Sequence, residues 1–154
     1  MMTLEDLLAR EAIRELRVAY STAFDTIDEA AVRANFIDDI VCEYPVAYGG
    51  PIQGVEKVIA LFRQTWAHCK YPYDTVHFIG NHAIELTGPD TARGHCMLLD
   101  FVNRQGDGSP IRTRGGHDNP MLLIGRYEDE YVKRDGAWKF ARIKLTTAWP
   151  DRNV

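Results

Sequence analysis

The segment GRYEDEYVKRDGAWKFARI (residues 125–143) decides the fold class, because two strands and the turn between them can be read from it. Asp135-Gly136 is a strong signal for a tight hairpin turn. Apolar residues on both sides of this turn predict strands over 121–134 and 137–149. The last part of the chain is therefore predicted to be an antiparallel β-hairpin.

The sequence after Pro72 shows the same two-residue period earlier in the chain. Residues 74–86 and 91–103 predict a pair of strands, and the turn GPD separates them. A further strand is predicted over 39–48, ending near Pro45. Residues 104–120 are polar and rich in glycine, and loops of this length are usually functional or mobile.

The first part of the chain is predicted to be helical. A short helix over 28–36 has Asp28 as a plausible N-cap, and a third helix over 54–69 is entered through Gly54. The first helix carries apolar residues at helical spacing: Leu4, Leu7, Leu8, Ile13, Leu16, Tyr20, Ala23 and Phe24.

Helices followed by antiparallel strands predict an α+β fold. We expect a cone-shaped α+β barrel, in which three N-terminal helices pack on a curved, mainly antiparallel sheet and enclose a pocket. The chain shows no repeat and no linker, which predicts a single domain over residues 1–154.

Composition excludes several classes of function. The net charge of -4 gives no basic footprint for nucleic acid. The first residues carry charges throughout, which argues against both a signal peptide and a membrane span. We therefore expect a cytoplasmic protein with neither nucleic acid nor membrane as a partner.

The sequence also lacks the usual patterns for metals and cofactors. Cys42, Cys69 and Cys96 are too widely spaced for a zinc knuckle, and their odd number argues against a disulfide framework. No histidine pair has the H-x-x-x-H or H-x-H spacing, and neither a P-loop nor a dinucleotide fingerprint is present. An enzyme with this sequence is expected to work without metal or cofactor.

Polar residues on the predicted strands are candidates for a site. Strict alternation places His77, Ile79, Asn81 and Ala83 on one face and His82 on the other. In the next strand it places Cys96, Leu98 and Asp100 together. A carboxylate buried in such an apolar strand needs a partner or a raised pKa, so Asp100 is either catalytic or paired with an arginine such as Arg142.

A resemblance to a known family rests on three motifs. They are the apolar helix that ends in Asp25, VHFIGN (residues 76–81) with His77, and the closing segment 125–143. Over nearly the whole chain this arrangement resembles the SnoaL-like branch of the nuclear-transport-factor-2-like superfamily. That branch includes bile-acid 7α-dehydratase, scytalone dehydratase and the lindane dehydrochlorinase, and the resemblance implies a cofactor-free elimination by an aspartate–histidine dyad.

The resemblance also implies residue roles. His77 would be the general base or acid and Asp25 would orient its ring, while Asp100 would protonate a departing hydroxyl. The dehydrochlorinase has a lysine at the place of Tyr20, which argues against dehydrohalogenation in that form. The implied catalytic residues are Tyr20, Asp25, His77 and Asp100, and the resemblance adds Tyr44 as a substrate-binding residue. The further expected substrate-binding residues are those of the predicted pocket walls, Phe24, Phe62, Phe78 and Leu98, together with Asn81.

The expected activity is that of a lyase or dehydratase acting on a hydrophobic, hydroxylated molecule of aromatic, polyketide-like or steroid-like type. Three alternatives stay open: a scaffolding β subunit or binding module of a ring-hydroxylating dioxygenase, a cyclase or isomerase, and a deformylating carbon–carbon lyase. Within loop 103–119, Arg112, Arg114 and His117 are either solvated or part of a lid. A homodimer or homotrimer is expected, with IKLTTAW (residues 143–149) as a fitting interface.

Two structural readings compete with these roles. Asp25 would cap the second helix, although Asp28 already suits that position. Tyr20 would be a core residue whose hydroxyl has found a partner.

Overall fold

The computed structural model describes residues 2–69, 72–102 and 121–149. A single-turn 3-10 helix, Val46–Tyr48, lies between the first two strands. The helices are α1 (Leu4–Asp25), α2 (Glu29–Ala34) and α3 (Val55–Trp66), and the strands are β1 (Phe36–Glu43), β2 (Pro51–Gln53), β3 (Thr75–Gly88), β4 (Thr91–Val102), β5 (Met121–Arg134) and β6 (Ala137–Trp149).

The strands of the described residues form one six-stranded sheet in the order β2-β1-β6-β5-β4-β3. All neighbouring strands are antiparallel except β1 and β6, which are parallel. The predicted α+β class, with three helices and a mainly antiparallel sheet, is confirmed. The sheet is open between β2 and β3, so it is a curved layer rather than a closed barrel.

Both predicted hairpins are present. The turn between β5 and β6 has positive φ at Asp135 (52°) and Gly136 (81°), as a type I′ turn requires. In the other hairpin, His77 lies directly across from Asp100, which brings two predicted site residues together. As predicted, Cys96, Leu98 and Asp100 share the buried face of β4.

A β-bulge in β3 overturns one predicted pattern. Gly80 pairs with Met97 and Ala83 pairs with His95, so the bulge places both Asn81 and His82 opposite the single residue between these partners. Asn81 has φ 52°, and the extra residue shifts every later side chain to the other face. The prediction that Asn81 and Ala83 share a face with His77 is therefore wrong.

The bulge also gives His82 a different position from the predicted one. The Nε2 atom of His82 lies 3.1 Å from the hydroxyl of Tyr131, a buried residue of the sheet's inner face. His82 therefore reaches the inner face of the sheet, although strict alternation predicted the opposite side.

Helix α1 buries two adjacent stripes. The predicted apolar stripe includes Ile13, Leu16, Tyr20 and Phe24, which lie in the core, whereas Leu4, Leu7 and Leu8 are exposed. A second, polar stripe is formed by the buried residues Arg17, Ser21 and Asp25, spaced four apart and therefore on one face.

The ends of α1 and α2 show which residues act as caps. Thr3 and Asp6 form a capping box at the start of α1. The side chain of Asp28 accepts a hydrogen bond from the backbone N–H of Ala31 and caps α2, as predicted. Asp25 is the last residue of α1, so the capping role considered for it is wrong. Within the described residues, no helix is long and apolar enough to cross a membrane.

Candidate active site

Asp25 joins the end of α1 to strand β3. Its Oδ2 accepts a hydrogen bond of 2.9 Å from the backbone N–H of His77, and its Oδ1 lies 2.6 Å from Nδ1 of the same residue. An ionised carboxylate only accepts hydrogen bonds, so Nδ1 carries the hydrogen and Nε2 is left as the free base. The carboxylate therefore fixes both the position and the tautomer of the imidazole.

Asp100 faces the other ring nitrogen. Its Oδ2 lies 3.9 Å from Nε2 of His77, and its Oδ1 accepts a hydrogen bond of 2.9 Å from the hydroxyl of Thr75. Arg142, the arginine considered as a partner of Asp100, pairs with Glu43 and Glu130 instead. We call Asp25, His77 and Asp100 the dyad cluster.

The dyad cluster is almost buried, with side-chain exposures of 6%, 8% and 9% for Asp25, His77 and Asp100. Burial lowers the pKa of His77, but the charge of Asp100 and the hydrogen bond that the ring donates to Asp25 outweigh it and raise the pKa overall. Burial raises the pKa of Asp100 by more than His77 and Thr75 lower it. A proton can thus be held either by Nε2 of His77 or by Oδ2 of Asp100, which suits general acid–base chemistry.

An aromatic cluster packs against the imidazole. The ring of Phe24 meets that of His77 edge-on at 5.0 Å, and Phe62 packs against Phe24 at 4.9 Å. Trp66 completes this layer, and its indole N–H donates to the backbone oxygen of Phe24. Leu98 is buried two residues from Asp100 on the same face of β4. Phe24, Phe62 and Leu98 therefore form an apolar surface next to the dyad cluster.

Tyr20 and Tyr44 belong to the same aromatic cluster but do not contact the imidazole. Each packs against Phe62 with ring centroids 6.4 Å apart. Burial raises the pKa of both phenols, so both are uncharged at neutral pH. The Tyr44 hydroxyl is buried and has no hydrogen-bond partner among the described residues. Both phenols therefore lie one aromatic layer away from the dyad cluster.

Two predicted substrate-binding residues do not lie on the inner face of the sheet, where the dyad cluster is. Phe78 is 59% exposed and packs against Phe101 on the outer face of the sheet. It follows His77 directly, and neighbouring side chains of a strand point to opposite faces. Asn81 is exposed at the bulge. Neither residue can line a site on the inner face, so both assignments are wrong.

A second buried ionic group was not predicted. Nη2 of Arg17 lies 2.5 Å from Oδ2 of Asp129, and both side chains are 0% exposed. The hydroxyl of Tyr131 donates to the same oxygen at 2.8 Å and also lies 3.1 Å from Nε2 of His82. We call these four residues the arginine cluster. Three rings surround the guanidinium, with centroids 4.1 to 5.1 Å from its carbon: Tyr20, Tyr127 and Phe140.

Two signals in the sequence could have revealed the arginine cluster. Arg17 precedes Asp25 by two helical repeats of four residues, a spacing that places both residues on one face of a helix. Asp129 alternates with Tyr127 and Tyr131 on a strand whose other face is charged. The pairing itself joins residues 112 positions apart and has no local signal.

Other predicted features cannot be placed. Arg112, Arg114, His117 and the lid considered for loop 103–119 lie outside the described residues. Among the residues that are described, no group of three or more histidine, cysteine or acidic side chains is arranged to hold a metal ion.

Comparison with known proteins agrees with this architecture. A family model for the SnoaL-like domain matches residues 5–144. The chain belongs to the SnoaL-like domain family. Its fold is therefore that of the nuclear-transport-factor-2-like group of proteins.

Individual relatives of this SnoaL-like protein match most of its length at low identity. Terrestric acid biosynthesis cluster protein E of Penicillium crustosum is 30% identical over 142 residues, covering 91% of this chain and 83% of the relative. The gamma-hexachlorocyclohexane dehydrochlorinase of Sphingobium indicum is 25% identical over 148 residues, covering 96% and 85%. These relatives support a lyase-like family.

A solved structure extends the comparison to the fold. A Novosphingobium aromaticivorans protein assigned as a scytalone dehydratase superposes with a TM-score of 0.74 at 23% identity. The match covers 94% of this chain and 87% of that protein. At this identity the likeness establishes the shared fold.

Proposed function

We propose that this protein is a cofactor-independent lyase of the dehydratase type, acting on a hydrophobic, hydroxylated small molecule. The observation that carries the proposal is the dyad cluster. Asp25 holds the imidazole of His77 through two hydrogen bonds, and Asp100 faces its free nitrogen. A base and an acid are thus held side by side against an apolar wall.

In this mechanism His77 is the general base. Its Nε2 removes a proton from a carbon beside a carbonyl group, where the hydrogen is most acidic. Asp25 accepts a hydrogen bond from the Nδ1–H throughout the reaction and stabilises the imidazolium that forms. This is the orienting role of the aspartate in a serine-protease triad, without a nucleophile.

Asp100 is the general acid. Burial raises its pKa and so favours the protonated carboxyl group, which gives its proton to the departing hydroxyl. Chloride leaves as an anion without protonation, whereas a hydroxyl group needs an acid. A carboxyl group in this position therefore favours loss of water over loss of chloride.

The aromatic cluster supports a hydrophobic substrate of aromatic, polyketide-like or steroid-like type. Phe24 and Phe62 offer ring faces and edges, and the neutral phenols of Tyr20 and Tyr44 can donate to a carbonyl oxygen of the substrate. A relative that acts on hexachlorocyclohexane and one from a terrestric acid cluster also point to hydrophobic small molecules.

The proposal is tested with a panel of aromatic and steroidal β-hydroxy ketones and a mass-spectrometric readout. The wild-type protein is compared with Asp25→Asn and with Asp39→Asn, an exposed aspartate of β1. Loss of water by the wild type and Asp39→Asn, reduced at least about 100-fold in Asp25→Asn, is the expected result. Equal turnover by all three proteins would exclude the dyad mechanism.

The same readout separates the alternative reactions. Loss of formaldehyde would assign a deformylating carbon–carbon lyase, and an isomeric product of unchanged mass would assign a cyclase or isomerase. No turnover, together with capture of a dioxygenase α chain, would assign the scaffolding role.

The outer face of the sheet supports a homo-oligomer. Phe78, Leu99, Ile124 and Trp149 are successive cross-strand neighbours and therefore form one apolar row across β3 to β6. Three of the four are exposed. Of the predicted segment 143–149, Trp149 belongs to this row, while the apolar Ile143 and Leu145 are buried in the chain's own core.

We infer that a second copy of the chain covers this row. Arg126, Glu128 and Lys144 place both signs of charge on the same face, so two copies can be complementary when turned towards each other. Light scattering after size exclusion should give a dimer or trimer for the wild type and a monomer for Phe78→Ser/Leu99→Ser. A monomeric wild-type protein would exclude the interface.

A further inference from the structure

The positions of the two reactive atoms bear on the stereochemistry of the proposed reaction. His77 and Asp100 are direct neighbours across β3 and β4, and both side chains lie on the inner face. Their reactive atoms, Nε2 and Oδ2, are 3.9 Å apart. A substrate therefore meets the base and the acid on the same side.

This distance distinguishes the two ways of eliminating water. Each catalytic atom must come within about 3 Å of the atom with which it exchanges a proton. If the hydrogen and the hydroxyl leave from opposite sides of the carbon–carbon bond, base and acid must stand roughly 6 Å or more apart, with the substrate between them. If both leave from one side, a separation of about 4 Å suffices. The spacing of catalytic groups predicts stereochemistry in glycosidases by the same logic.

We propose that this site catalyses syn elimination, so that its substrates carry the abstracted hydrogen and the departing hydroxyl on the same face. The inference rests on the proposed dehydratase function and narrows its substrate class. In a cyclic β-hydroxy ketone, the hydrogen that is lost from the α carbon is the one cis to the hydroxyl.

The balance of atoms is simple. Nε2 of His77 takes the proton, the electrons of the C–H bond form the double bond, and the C–O bond breaks towards oxygen. That oxygen takes the proton of Asp100 and leaves as water. Imidazolium and carboxylate then face each other across 3.9 Å, and return of the proton from His77 to Asp100 restores both groups.

Thr75 acts as a positioning residue in this arrangement. Its hydroxyl donates to Oδ1 of Asp100 and is itself buried, so Oδ2 is the oxygen left to carry the proton towards His77. Loss of this hydrogen bond frees the carboxyl group to rotate. We therefore expect Thr75 to govern the stereochemical fidelity of the reaction.

The test uses a cyclic β-hydroxy ketone that the wild type dehydrates, prepared with deuterium at the α carbon either cis or trans to the hydroxyl. Mass spectrometry of the enone should show deuterium lost from the cis compound and kept in the trans compound. The reverse pattern would assign anti elimination, and equal loss from both would assign a stepwise reaction without facial control. Either result overturns the inference and leaves the dehydratase function standing.

If the protein dehydrates neither compound, both the proposed function and this inference are excluded. Variants test the assigned acid separately. Asp100→Asn should slow water loss by about 10²–10⁴-fold, yet retain near wild-type elimination of acetate from the β-acetoxy analogue, which needs no acid. Loss of both activities to the same extent would show that Asp100 is not the acid.

Thr75 variants test positioning. Thr75→Val should lower the preference for the cis deuterium several-fold, and Thr75→Ser should restore it. Thr87→Val, at an exposed threonine of the same strand, is the matched control and should keep the wild-type preference. An unchanged preference in Thr75→Val would remove Thr75 from the inference.

Discussion

The two buried ionic clusters of this protein are anchored on the same face of α1 by residues eight positions apart, but they differ in composition and in exposure. In the arginine cluster, one permanent positive charge meets one carboxylate, and both side chains are 0% exposed. In the dyad cluster, two carboxylates face one imidazole, and each side chain keeps 6 to 9% exposure.

The difference lies in what each cluster can change. Arginine does not lose its proton in proteins, so the arginine cluster has one stable charge state and ties α1 to β5. The dyad cluster holds an imidazole and a carboxyl group that can each gain or lose a proton, and the pKa values of both His77 and Asp100 are raised. Burial alone thus does not mark a site; a buried group with an exchangeable proton and residual access does.

The largest expected effect is on turnover. His77→Gln removes the general base and should lower kcat/KM by about 10²–10⁴-fold, while the free energy of unfolding changes by less than about 1 kcal/mol. His95→Gln, at an exposed histidine of β4, is the control and should leave both quantities unchanged. Kinetics with a substrate from the panel and urea denaturation provide the two measurements. A stability loss as large as the activity loss would contradict the distinction between the clusters.

The same substitution in the two clusters should have effects of very different size on stability. Asp129→Asn leaves the buried guanidinium of Arg17 without its counter-charge and should cost about 3–5 kcal/mol of unfolding free energy. Asp100→Asn removes one of two carboxylates that face a single imidazole and should change stability by less than about 1 kcal/mol. Urea denaturation at neutral pH checks both. Equal losses in the two variants would show that the dyad cluster is also structural.

Asp100→Asn should also lower the pKa of His77. The carboxylate of Asp100 favours the charged imidazolium, so its removal lets burial pull the pKa down. NMR titration of the His77 ring carbon-bound protons measures the change, with Asp39→Asn as the control. A pKa equal to that of the wild type would show that Asp100 does not act on the ring.

The smallest effect concerns His82 at the rim of the arginine cluster. Burial and the charges of Arg17 and Arg14 lower its pKa from 6.5 to about 4. Between these two pH values the unfolded chain binds this proton more readily than the folded chain, so stability falls as the pH is lowered. His82→Gln should reduce the drop in denaturation midpoint between pH 6.5 and 4.5. An identical drop in both proteins would assign the acid sensitivity to other groups.

Local signals in the sequence were sufficient for the elements and for one part of the site. Asp135-Gly136 predicts its hairpin because few residues accept positive φ at both turn positions. The spacing of Leu16, Tyr20 and Phe24 predicts the buried stripe of α1. The alternation of Cys96, Leu98 and Asp100 predicts their shared face, because β4 carries no extra residue along these positions.

Only the tertiary structure shows the features that depend on partners distant in sequence. The bulge at Asn81 and His82 is set by pairing with β4, and it reversed the faces that strict alternation predicts. The pairing of Arg17 with Asp129 joins residues 112 positions apart, so no local pattern announces it. The carboxylate of Asp25 ends an apolar helix because β3 presents the backbone N–H and ring of His77 there, and only the folded chain brings these groups together.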